Sequence, residues 1–136
     1  LEKSAFPNTL LIPTAGTLPA KERGQYLVEI ARRLRARIYA VHVVEEGASP
    51  LKVADGEEAL EVIKEYAEKA GIPVETYTLK GDIIKNLVEF AREKDVDLIL
   101  VGSSEGRIIA DWIRKDLVKT SPIPVAIVPY DFSLLL

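Results

Sequence analysis

Residues 97–106 read Asp97-Leu98-Ile99-Leu100-Val101-Gly102-Ser103-Ser104-Glu105-Gly106, an unbroken apolar run that empties into a Gly/Ser loop just before a helical pattern begins. A strand that is apolar on both faces belongs in a parallel sheet covered by helices. A loop of small residues leading into a helix N-terminus presents backbone N–H groups to an anion. The same grammar occurs near the start, where Thr9-Leu10-Leu11-Ile12 runs into Pro13-Thr14-Ala15-Gly16-Thr17 and then a helix beginning around residues 18–20. In an open α/β sheet two such loops meet at the carboxyl edge of the strands, where ligands bind. The two loops are therefore read as one site suited to phosphate.

Working outward from these strands, Ala20, Arg23, Leu27, Ile30, Ala31 and Leu34 recur at helical spacing and predict a helix over residues 18–35. Gly24 falls inside it at a cost of about 1 kcal/mol against alanine, which close approach to the sheet would repay. Residues 37–44 read as a second buried strand, and residues 45–50 as a long loop. Asp55-Gly56-Glu57-Glu58 has the arrangement of a helix N-cap with an acid three positions later, and Gly71 ends that helix. Residues 74–79 alternate like an edge strand. Gly81-Asp82 opens a third helix, a fourth is predicted over 107–120, and residues 124–128 supply the last strand. Short connections and right-handed crossovers with one reversal of strand order then predict an α/β fold: a doubly wound five-stranded parallel sheet, strand order 3-2-1-4-5, with helices on both faces.

Composition narrows the function. With 136 residues and 48% hydrophobic content, one domain over residues 1–136 is expected, with its core at 9–129. A net charge of −3 argues against an extended nucleic-acid groove. The absence of cysteine and the single histidine exclude disulfides, a cysteine nucleophile and most zinc sites, so no metal site is expected. No apolar run reaches the length of a membrane span and the N-terminus lacks a signal-peptide layout, so the expected location is cytoplasmic, either free or as the cytoplasmic domain of a membrane protein. From the Leu1 start and the lack of any Met, an excised domain, a processed product or a trimmed chain is expected. The apolar end Phe132-Ser133-Leu134-Leu135-Leu136 reads either as packing or as a partner contact. Few Asn and Gln with many Lys, Glu and Arg match a thermophile composition.

In order and spacing, Leu11-Ile12-Pro13-Thr14-Ala15-Gly16-Thr17, Val41-His42-Val43-Val44, Gly81-Asp82-Ile83-Ile84, Asp97 through Ser103 and Pro124-Val125-Ala126-Ile127-Val128-Pro129 resemble the universal stress protein family. The resemblance implies an adenine-nucleotide-binding (ATP, ADP or AMP) α/β domain without assured turnover. It also implies a homodimer that pairs its last strands, here Val125, Ala126, Ile127 and Val128, and a family that occurs fused to transporters and kinases. ATP-binding members carry G-x-x-G-x9-G-[ST] after the fourth strand and an Asp after the first. Here Gly102 and Gly106 are separated by three residues, the later Gly-[Ser/Thr] is missing, and Ala15 stands at the Asp position. What the resemblance leaves is a smaller anion site beginning at Gly102: backbone N–H groups of Ser103 to Gly106, the hydroxyls of Ser103 and Ser104, and the Arg107 guanidinium. Val43 and the loop Pro13, Thr14, Ala15, Gly16 and Thr17 would flank the adenine. AMP, ADP or a cyclic dinucleotide suits such a site better than ATP with its metal.

Each feature also has a purely structural reading. Gly102-Ser103-Ser104 turns the chain and caps a helix, Arg107 is solvated, and His42 packs inside its strand. Glu57, Glu58, Glu61 and Glu65 form a solvated face, with Glu61–Lys64 and Glu65–Lys69 pairs at helical spacing. The expected function is a nucleotide-sensing regulatory or stress-response domain. The alternative is a dimeric interaction module that has lost nucleotide binding. An enzyme is not expected, because no nucleophile is paired with a base, and Asp95 and Asp97 lie at the strand end opposite the loops.

Overall fold

Leu10, Leu11 and Ile12 each lose all or nearly all their exposure on opposite faces of one strand, as a strand covered by helices on both sides requires. That strand, β1 (Thr9–Pro13), lies at the centre of an all-parallel sheet. β2 (Arg37–Val44) and β3 (Val74–Lys80) extend it on one side, β4 (Leu98–Gly102) and β5 (Val125–Val128) on the other. The order is β3-β2-β1-β4-β5, the predicted doubly wound arrangement, with β1 paired to both β2 and β4. The computed structural model describes residues 7–102 and 116–128.

Period-2 alternation sorts the strand side chains onto two helical layers. Leu10, Ile12, Ile38, Ala40 and Leu100 pack with α1 (Thr17–Leu34) and α2 (Pro50–Lys69). Leu11, Tyr39, Val41, Val43, Ile99 and Val101 pack with α3 (Ile83–Glu93) and with Leu117, in the helical residues 116–120. Of the helix predicted over 107–120, only 116–120 lies within the described residues.

Three local expectations are corrected. α2 begins at Pro50, not at Asp55: the Ser49 hydroxyl accepts from Lys52 N (3.3 Å) and proline stands at the first helical position, a stronger start signal than Asp55-Gly56. Gly24 makes its close approach to α2 rather than to the sheet, since a Cβ there would lie 2.7 Å from Ile63 Cδ1 and 3.2 Å from the Tyr66 ring. The Glu61–Lys64 and Glu65–Lys69 pairs do not form; among the described residues the ion pairs join Glu29 to Arg32 and Arg33, and Arg37 to Glu75. Exposed pairs at helical spacing gain too little to hold two long side chains in one geometry. Glu29 gains more partners than they do: hydrogen bonds from Arg32, then Arg33, hold its carboxyl down to about 2.

The strand ends opposite the site are pinned by side chains. Asp97 Oδ2 accepts from Asn8 N (2.8 Å) and Thr9 N (3.0 Å), tying the start of β4 to the start of β1. Tyr39, Tyr77 and Phe90 stack edge to face, with centroids 4.9–5.9 Å apart, a geometry favoured by the ring quadrupoles. The Glu75 carboxylate accepts from the Tyr77 hydroxyl (2.6 Å) and pushes its ionisation up.

Candidate functional site

At the carboxyl edge of the sheet, where strand order reverses about β1, the chain leaves a cavity of about 640 Å³, a volume in the range of small-molecule sites. Its apolar wall comes from Pro13, Val41, Val43 and Val101 on the strands and from Ile83 and Leu87 on the first turns of α3. Its polar rim comes from Thr14, His42, the β2–α2 loop with Glu45, Glu46 and Ser49, and from Lys52 and Asp55 on α2. A cavity with an apolar wall and a few polar groups at its rim suits a small organic ligand.

Of the residues expected to form the site, the structure brings Pro13, Thr14, Ala15, Val43 and Gly102 to this one cavity. Gly16 and Thr17 lie beside it but do not line it. They form the N-terminus of α1, where Thr17 N donates to Asp55 Oδ1 (3.2 Å) and Thr17 Oγ1 donates to the Asp55 carbonyl (3.0 Å). Ser103, Ser104, Gly106 and Arg107 lie outside the described residues.

His42 illustrates how the rim is built. Its Nδ1 lies 3.1 Å from Thr14 Oγ1 and 3.3 Å from the Thr14 carbonyl. Protonated there, it donates to the carbonyl; in the other tautomer it accepts from the hydroxyl. The ring's other edge rests on Gly56, where any Cβ would overlap Cδ2 and Nε2. His42 is thus a packed wall residue that links the β1 loop, β2 and α2.

Sequence reasoning missed Lys52, Asp55, Ile83 and Leu87. In sequence Ile83 and Leu87 show only the helical spacing of core-facing positions, and Asp55 reads as a cap of its own helix. The overlooked signal was Ser49-Pro50, which moves the start of α2 forward and frees Asp55 to reach α1. Among the described residues no cluster of His, Asp or Glu has the arrangement of a metal site, and no helix is long and apolar enough to cross a membrane.

With this geometry in place, residues 8–129 match the universal stress protein family. The chain belongs to that family. It is similar to a universal stress protein of Methanocaldococcus jannaschii, 31% identical over 88% of this chain and 80% of the relative. Two solved universal stress proteins share its fold. One, from Archaeoglobus fulgidus in complex with dAMP, superposes with a TM-score of 0.71 at 20% identity, covering 88% of this chain and 96% of that one. The other, from Arabidopsis thaliana with AMP bound, gives 0.67 at 20% identity over 92% and 93%. In this member of the universal stress protein family the β1 loop brings Ala15 to the carboxyl-edge cavity.

Proposed function

We propose that this cavity binds an adenine nucleotide and that the domain acts as a sensor, ordering its loops on binding without efficient turnover. The observation that carries the reading is the cavity of about 640 Å³, apolar-walled and polar-rimmed, at the switch point of the sheet, the ligand position of open α/β folds. The complexes of structural neighbours with AMP and dAMP support it. In this reading Val41, Val43, Ile83 and Leu87 sandwich the base. Gly102 leads the chain toward Ser103, Ser104, Gly106 and Arg107, which take the phosphate. AMP, ADP or a cyclic dinucleotide is preferred to ATP, since among the described residues the rim carries the carboxylates Glu45, Glu46 and Asp55 beside the cation Lys52.

Calorimetric titration of ATP, ADP, AMP and cyclic di-AMP, with and without magnesium, tests this. Binding of AMP or ADP is expected, with a rise in melting temperature by mass action. Ala15→Trp, an exposed position at the mouth of the cavity, should abolish the heat while leaving the fold intact. Silence from every nucleotide, with no thermal shift, would overturn the reading and leave the interaction module in its place.

The position of β5 favours that second role as a companion. It is the outer strand of the described sheet, with Val125, Ala126 and Ile127 only half-buried. An apolar edge strand is a template for pairing with another chain, and we propose a second copy of this chain as that partner. Sedimentation velocity should give a dimer for the natural protein and a monomer for Ala126→Asp, which places a charge in the interface. A dimeric variant, or a monomeric natural protein, removes this surface.

A further inference from the structure

α1 starts without a cap of its own: Gly16 has no side chain to offer and the first turn carries no acid. The exposed N–H groups of such a turn carry partial positive charge and attract anions. In this chain the anion is already supplied, from 38 residues away, by Asp55 on α2. Its Oδ1 accepts from Thr17 N, its backbone carbonyl accepts from the Thr17 hydroxyl, and its Oδ2 lies only 2.6 Å from the place a Cβ on residue 16 would take. Gly16 also has φ 139°, in a region L side chains rarely adopt, so glycine there is required twice over.

We propose that Asp55 is a specificity-determining residue of the cavity. By occupying the N-terminus of α1 while lining the cavity, it bars phosphate from the β1 side. There it admits only the uncharged, hydroxyl- or amine-bearing part of a nucleoside, to which a carboxylate offers hydrogen-bond acceptors. The anionic end of a ligand is turned toward Gly102 at the end of β4. This rests on the nucleotide reading above for the ligand's identity, but the exclusion of phosphate by Asp55 is a property of the chain itself.

Asp55→Asn removes the charge and keeps an acceptor for Thr17 N. Adenosine, AMP and ATP are titrated into the natural protein, Asp55→Asn and Glu46→Gln, which loses a rim carboxylate that does not reach α1. In Asp55→Asn the ATP affinity should rise about tenfold, the order expected for losing one partly screened charge contact. Adenosine should change less than about twofold, and Glu46→Gln should leave the ATP-to-adenosine ratio nearly unchanged. If adenosine and ATP shift together in Asp55→Asn, or neither shifts, the inference is overturned.

A second arm separates this outcome from failure of the nucleotide reading. Inorganic phosphate is added to each protein and the melting temperature followed. If no adenine compound binds any variant but phosphate raises the melting temperature of Asp55→Asn and not of the natural protein, the nucleotide reading falls and the role of Asp55 stands. Equal responses to phosphate overturn that role. Asp55→Ala, lacking both charge and acceptor, should repeat the phosphate response if Asp55→Asn folds poorly, and equal response there overturns the inference as well.

Discussion

Gly56→Ala should destabilise the protein by about 1–2 kcal/mol, although alanine is the better helix former by about 1 kcal/mol. Gly56 lies inside α2 and is buried, and its missing side chain leaves the space that the His42 imidazole fills. Overpacking of this kind costs about 1–3 kcal/mol when the neighbour cannot withdraw. His42 is held on its other side by Thr14, so the collision outweighs the gain in propensity. The sign should reverse in a His42→Ala background, where Gly56→Ala meets no ring and returns its helix preference as stabilisation. Urea unfolding of the four proteins in this cycle gives the coupling directly. Equal effects of Gly56→Ala with and without His42 would mean that the histidine is not what the glycine makes room for.

A larger loss is expected from Ile63→Ala, about 2–5 kcal/mol, out of the roughly 5–15 kcal/mol typical of a domain. Ile63 is 1% exposed and its Cδ1 occupies the gap left by Gly24 on α1. Truncation therefore opens a void at the point where the two helices approach each other. Gly24→Ala alone should be destabilising, because its Cβ would meet Ile63 Cδ1 at 2.7 Å and the Tyr66 ring at 3.2 Å. Combined with Ile63→Ala, the same methyl enters the void and should recover part of the loss. Strict additivity in denaturant unfolding would show that the two positions do not share this space.

These two glycines show what the sequence discloses and where it stops. Periodicity places Gly24 on the buried stripe of α1, yet periodicity fixes only which face is inward and not which element lies across it. Hence nothing in the sequence of α1 distinguishes α2 from the sheet as the surface that Gly24 meets. The run Leu98 to Val101 was legible as a buried parallel strand because no polar residue interrupts it, and right-handed crossovers with one reversal of strand order place helices on both faces. The loops after β1 and β4 were legible through their Gly and Pro residues. Asp55 was not, because a carboxylate before Gly-Glu-Glu has the local grammar of a cap whether it caps its own helix or one distant in sequence. Ile83 and Leu87 carried no mark distinguishing a cavity wall from ordinary core.

The hydrogen bonds from Asn8 and Thr9 to Asp97 span 89 and 88 residues, and they bear on the order in which the molecule is assembled. During synthesis β1, β2 and β3 can zip together with their helices while the other flank of β1 waits for Leu98 to Gly102. Through that interval the central strand is an open edge, the state in which a nascent chain is most prone to pair with a neighbour. The arrival of Asp97 fastens the late half onto the early one. The cavity straddles the same seam, with Pro13 and Val43 on one side and Val101 and Gly102 on the other, so a molecule seated there would act as a second fastener.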